Sequence, residues 1–185
     1  MSSETPIILV TGPPASGKST LAERIARELR LPLIAKDVIK ETLFDAFGTR
    51  DREWSKWLGG ATYPLIFRFL EVQLAAGRSV VVDATFGPEI ANAEFERLKT
   101  RYPFRALQMY CFAPNEVLYE RYADRAAERH PGHVDSQILD EVKAQLEENR
   151  WQPLDLGGET IKVDTSNFGS VDFEGLVNAA SNHLS

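Results

Sequence analysis

The sequence predicts a single α/β domain built on a parallel sheet, and three observations carry that prediction. Short apolar runs alternate with longer stretches of helical periodicity from one end of the chain to the other. The runs Ile7–Val10 and Val80–Val82 are apolar at successive positions, as strands covered on both faces must be. Between the first run and an amphipathic stretch lies a glycine-rich loop, Gly12 to Thr20, the kind of turn that joins a buried strand to a helix. A chain of 185 residues is long enough to bury a full core, and no repeat or low-complexity linker divides it.

In order, Ile7–Val10 is the first strand, and Leu21, Ile25 and Leu29, with Ala22 and Ala26 alongside, mark the buried stripe of the first helix. Leu31 to Ala35 is a second strand ending at Lys36-Asp37, with Asp37 suited to cap a helix from Val38 to Phe47. After the loop at Gly48 to Glu53, apolar residues from Trp54 to Leu74 recur at helical spacing, and Pro64, following Gly59-Gly60, predicts a break or a kink. The tryptophans at 54 and 57 read as core or cleft wall, or as a functional cage. Ser79 to Asp83 is the third strand, Glu89 to Arg101 a helix, and Phe104 to Phe112 the fourth strand. Pro114 starts a helix that the spacing carries to about Arg129, where His130-Pro131-Gly132-His133 breaks it. Ser136 to Arg150 is helical, Ile161 to Asp164 is the fifth strand, and Phe173 to Leu184 closes the chain as a helix.

Composition narrows the function classes. A net charge of −6 argues against a protein that coats nucleic acid, since such affinity comes largely from Lys and Arg on phosphates. Any anionic substrate is then handled by a few placed cations rather than by a general field. Cys111 is the sole cysteine, which excludes an internal disulfide and a cysteine-based metal site. The first residues show neither a basic n-region nor a long apolar stretch, and no run suits a membrane span, so the expected location is the cytoplasm.

The loop Gly12-Pro13-Pro14-Ala15-Ser16-Gly17-Lys18-Ser19-Thr20 matches the phosphate-cradling pattern G-x-x-x-x-G-K-[ST] at every fixed position. Its backbone N–H groups and the helix N-terminus converge on a polyphosphate, so Gly12, Pro13, Ala15, Ser16, Gly17, Lys18, Ser19 and Thr20 are the candidate ATP-binding residues. Lys18 is placed to reach the β- and γ-phosphates, and the Ser19 hydroxyl to take a Mg2+ position. In a parallel sheet, ligands bind beyond the carboxyl ends of the strands. There the second strand ends in Asp37, the third in Asp83 and the fifth in Asp164-Thr165-Ser166. Three carboxylates beside a triphosphate call for a cation between them, and Mg2+ supplies it.

Each remaining candidate has two readings. Asp83, after three valines, holds Mg2+ or merely caps a turn, while Thr85 is placed to orient the γ-phosphate or acceptor. Asp37 is the candidate general base on an acceptor hydroxyl, or the helix cap already described. Lys40, one turn on, holds an acceptor or is a solvated lysine. Arg121, Arg125 and Arg129 share one helix face, as a lid over the phosphates or as a salt-bridged surface beside Glu116, Glu120, Asp124 and Glu128. Arg125 and Arg121 rank above Arg129 as catalytic candidates. His130 and His133 lack a ligand pattern for metal. The [NT]-K-x-D sequence of GTPases is absent, as is a locally supported Ser-His-Asp set.

Taken together, the phosphate loop, Asp37, Val82-Asp83-Ala84-Thr85, the Arg121/Arg125 helix and Val163-Asp164-Thr165 resemble, in order and spacing, the P-loop kinases. Within them the likeness is to the group holding the polynucleotide 5′-kinase domain, zeta-toxin-like kinases and chloramphenicol phosphotransferase, often labelled AAA-type ATP-binding domains. The resemblance implies the P-loop NTPase three-layer fold, a five-stranded parallel sheet in order 2-3-1-4-5 with a helical lid at about 121–135. It also implies ATP-Mg2+ as donor, an Asp37-type base, and the loop after Asp164, with Asp164 and Thr165, near the adenine. The chain departs from the polynucleotide kinases where Lys40 replaces an arginine after the base, and where Phe86 to Ile90 carries no arginine.

The leading expectation is an ATP-dependent kinase acting on a hydroxyl of a small molecule. A polynucleotide 5′-hydroxyl kinase and an ATP-driven switch that signals to a partner are the alternatives. A ring-forming motor is disfavoured, because the chain is short for a helical second subdomain.

Overall fold

The computed structural model describes residues 4–185 and consists of one parallel sheet with helices on both faces. Strands β1 (Thr5–Thr11), β2 (Leu33–Ala35), β3 (Val81–Asp83), β4 (Phe104–Phe112) and β5 (Glu159–Asp164) run in the order β2-β3-β1-β4-β5, all neighbours parallel. The predicted fold class and strand order are those observed.

The apolar runs explain the layering. Side chains alternate across a strand, so Ile7 and Leu9 face one layer while Ile8 and Val10 face the other. The first face packs on α3 (Arg52–Ala75) and α4 (Pro88–Arg101) through Ile66, Leu70 and Phe95. The second packs on α1 (Lys18–Leu29) and α7 (Phe173–Leu184) through Leu21, Ile25, Leu176 and Ala180. Fully burying each such aliphatic side chain contributes about 2 kcal/mol. A smaller cluster joins Ala15 of the phosphate loop to Leu118 and Tyr122 of α5 (Asn115–Arg125), and to Val142 and Leu146 of α6 (Leu139–Glu147).

Three expectations are corrected. The break at Pro64 does not occur: α3 is one helix of 24 residues with Pro64 inside it. Proline leaves a carbonyl without its helical partner one turn back, and the packed face of Leu58, Ile66, Leu70 and Leu74 holds the helix across it, while the Thr62 hydroxyl donates to the Gly59 carbonyl at 2.6 Å. Asp37 is not an N-cap: α2 (Lys36–Phe47) starts directly from β2, with Ala35 as the cap residue and Asp37 inside the first turn. Helix α5 ends at Arg125, so Arg129 leaves the shared face, and the backbone N–H groups of Glu128 and Arg129 both return to the Arg125 carbonyl. The stretch after it forms two short 3-10 turns, Pro131–His133 and Asp135–Gln137, before α6. None of the described helices is long and apolar enough to cross a membrane.

Candidate active site

Strand register assembles the site. Ala35, Asp83 and Val10 lie in one row at the carboxyl edge of the sheet, so the start of α2, the end of β3 and the entry to the phosphate loop are neighbours. Residues far apart in sequence thereby border one cleft of about 940 Å³, lined by Lys18, Lys36, Asp37, Lys40, Thr85, Arg125 and Arg129 among others.

The loop has the geometry of an anion cradle. Gly12 has φ +141° and a Cβ there would meet the Cys111 carbonyl oxygen at 2.2 Å, so only glycine fits. Gly17 has φ +77°, and a Cβ would strike the Phe168 ring at 2.3 Å. No side chain caps the N-terminus of α1 and its first turn holds no acid, which leaves the helix N–H groups free for a negative ligand. Lys18 folds back over the loop, its ammonium donating to the Pro13 carbonyl at 3.5 Å. Asp83 is 3% exposed, and its Oδ1 is buried without a hydrogen-bond partner. Burial pushes its carboxyl up, against the Lys18 charge and a hydrogen bond from the Ser19 hydroxyl. An orphaned carboxylate oxygen beside Ser19 fits a divalent cation, and the open cradle fits a polyphosphate, so these residues suit ATP-Mg2+.

Opposite the cradle, the Asp37 carboxylate remains 42% exposed to the cleft. Burial works to raise its pKa, but Arg129, then Lys18 and Lys36, outweigh it and hold the carboxyl well below the usual range. Arg129 donates to Asp37 Oδ2 at 2.7 Å and to Asp135 Oδ2 at 2.8 Å, and lies 3.0 Å from His133 Nε2. The Tyr122 hydroxyl donates to the second oxygen of Asp135 at 2.6 Å. One guanidinium thus ties α2 to the segment after α5. The same segment is packed on α2 by His130, stacked on Phe44 at 5.3 Å, and by Gly132, where a Cβ would meet the Phe44 ring at 2.5 Å.

The three arginines therefore have different surroundings. Arg125 borders the cleft over the Tyr122 ring at 5.4 Å, its Nε buried and unpartnered, its charge disfavoured by burial and by Arg129. Arg121 instead donates to the carbonyls of Thr165 and Ser166 at 2.8 and 3.0 Å, fastening α5 to the loop after β5. Thr165 is buried and donates to the Phe112 carbonyl, while exposed Asp164 accepts from the Ser166 hydroxyl and N–H. Thr85 lines the cleft, and its carbonyl accepts from the Tyr63 hydroxyl at 2.6 Å. Sequence reading ranked Arg129 last and did not anticipate Asp135, Tyr122, Tyr63 or Ser55, which accepts from the Lys40 ammonium at 3.0 Å. Their pairings cross from one element to another, and no local spacing announces them.

Comparison with known proteins fits this geometry. A family model described as an AAA domain matches residues 7–149. The chain belongs to that family. A crystal structure of a protein from Chloroflexus aurantiacus, provisionally assigned as a kinase, is 36% identical with a TM-score of 0.88, covering 98% of this chain and all of that one. The cytidylate kinase of Ignicoccus hospitalis is 26% identical over 145 residues, 78% of this chain and 76% of that protein. The shikimate kinase of Bacteroides thetaiotaomicron shares the fold, with a TM-score of 0.55 at 20% identity over 98% of this chain and 99% of that one. The family match and the Chloroflexus structure support a P-loop kinase, in a fold that the shikimate kinase shares.

Proposed function

We propose that the protein is an ATP-dependent kinase that transfers the γ-phosphate to a hydroxyl group of a small-molecule acceptor. The observation that carries the reading is the ionised Asp37 carboxylate, 42% exposed in the cleft that Lys18 and Arg125 also line. A hydroxyl needs an acceptor for its proton, and a phosphate nucleophile does not. A phosphate at this position would also meet repulsion from Asp37. Both points favour an alcohol over a nucleotide phosphate, the acceptor that the name of the Ignicoccus relative implies for that protein.

ATP with Mg2+ would supply the phosphoryl group and neutralise its charge, held by the Gly12–Thr20 loop, Ser19 and Asp83. The acceptor oxygen attacks the γ-phosphorus, the bond to the bridging oxygen breaks, and ADP leaves. The hydroxyl proton passes to Asp37. Because the transition state is loose, the oxygen needs little deprotonation before attack, and a carboxylate of low pKa serves to orient it and take the proton late. Lys18 and Arg125 neutralise charge developing on the transferred group and the leaving oxygen.

The test is γ-phosphate transfer from ATP to a panel of alcohols, nucleoside monophosphates and 5′-hydroxyl oligonucleotides, with wild type and Asp37→Asn. Transfer to an alcohol that Asp37→Asn abolishes, with ATP binding kept, supports the reading. Transfer to monophosphates or oligonucleotides alone would replace the acceptor class. Slow hydrolysis indifferent to every acceptor would point to a switch.

A further inference from the structure

Charge balance in the cleft is uneven in one place. The acids that line it are already paired with arginine. Asp37 and Asp135 share Arg129, Glu141 takes Arg52, Glu71 takes Arg68 and Arg101, and Glu94 takes Arg97. Among the described residues, Lys18, Lys36, Lys40, Lys56, Arg125 and Arg150 line the cleft with no carboxylate in ion-pair distance. Lys18 and Arg125 belong to the donor side, Lys56 and Arg150 are exposed, and the strongest charge acting on Lys36 is that of Asp37. Lys40 remains.

Lys40 is 7% exposed. Its ammonium donates once, to Ser55 Oγ at 3.0 Å, and the Ser55 hydroxyl passes a bond on to the His133 carbonyl at 3.4 Å. The Phe44 ring lies 5.2 Å away, and Gly59 has no side chain beside the ammonium, where a Cβ would stand 3.5 Å from Nζ. Two N–H groups are left. A buried ammonium without a counter-ion is costly, and the cost is removed when a ligand brings the negative charge.

We propose that the acceptor carries an anionic group, a carboxylate or a phosphate ester, seated on Lys40 while its hydroxyl faces Asp37. The inference rests on the kinase reading and names its substrate class. Lys40 follows Asp37 by three residues on α2, a rise of about 4.5 Å, so the anionic group and the reacting hydroxyl belong to one compact molecule. Burial, with Lys36 close by, pushes the Lys40 pKa down to about 8, and a bound anion would raise it again.

The experiment compares aldonic acids, aldose 6-phosphates and the matching neutral alditols, both as acceptors of the γ-phosphate and as ligands in calorimetry with a non-hydrolysable ATP analogue filling the phosphate loop. Wild type should prefer one of the two anionic arms, and Lys40→Met should reduce that preference roughly 10- to 100-fold, the weight of a charge-assisted hydrogen bond. The arm preferred decides between carboxylate and phosphate. Lys40→Gln, which keeps a donor to Ser55 but no charge, should behave like Lys40→Met. Alditols used as well as the anions, or a Lys40→Met loss equal across all arms, would overturn the proposal. Lys40-dependent binding of an anion without any transfer would leave it standing and reject the kinase reading. Neither binding nor transfer would reject both.

Discussion

The two halves of the cleft are built by different means. The donor half is mostly backbone: nine consecutive residues, two glycines that admit no Cβ, and a helix N-terminus left uncapped. The acceptor half is side chains from α2, α3, α5 and the turns after α5, joined by Arg129, Asp135, Ser55 and Lys40. A backbone cradle tolerates many sequences so long as its glycines stay. A side-chain network depends on each of its members.

Substitutions can break that contrast, and the largest effect belongs to Asp37. Asp37→Asn keeps the shape and loses the proton acceptor, so kcat should fall about 10²- to 10⁴-fold. ATP affinity, measured by calorimetry, should hold. If ATP affinity collapsed as well, the two halves would not be separable. Arg125→Ala should follow with a kcat loss of roughly 10²- to 10³-fold, read in the same assay.

Gly17→Ala tests the cradle through stability. The new Cβ would meet the Phe168 ring in a backbone conformation that alanine avoids, so the protein should lose about 1–3 kcal/mol in urea unfolding.

Lys40→Met should do the reverse. At pH 7 it removes a buried charge and should stabilise the protein by about 1–2 kcal/mol, after subtraction of the lost bond to Ser55. The folded-state value of about 8 lies below the ordinary 10.5, so the unfolded chain holds this proton more tightly. The penalty is then complete below about pH 8 and fades as pH rises towards 10.5. The advantage of the variant should shrink over that window in unfolding curves at pH 7 and pH 10. Groups acting on Lys40 include Lys36 and Asp37 of α2, Arg52 of α3 and Arg129 beyond α5. His133, from the turn after Arg129, faces it as well.

The smallest effect should be that of Arg121→Ala. Its two bonds to the loop after β5 position a wall, so KM for ATP should rise a few-fold while kcat changes little.

Most of the fold was legible because its determinants are contiguous. The valine run before Asp83, the stripe of Leu21 and Ile25, and the strand from Phe104 to Phe112 each declare themselves within a dozen residues. The phosphate loop was legible for the same reason. Where competing local signals met, the reading failed. Pro64 does not break a helix that its packed face, Leu58, Ile66, Leu70 and Leu74, holds together, and the arginine spacing runs past the end of the helix that displays it. The acceptor side was legible only as single residues. That Lys40 meets Ser55, or that Arg129 spans Asp37 and Asp135, depends on α2, α3 and the turns meeting at the sheet edge, and no one-dimensional spacing encodes it.

Arg129 takes Oδ2 of Asp37 and, among the described residues, leaves Oδ1 unclaimed. A carboxylate with one oxygen free can align one hydroxyl, and the smallest molecule able to compete for that oxygen is water. In a kinase, that competition decides how much ATP is wasted. The ratio of ADP formed to acceptor phosphorylated therefore measures the grip of Arg129, and loosening it with Arg129→Lys should raise the ratio before it slows the chemistry.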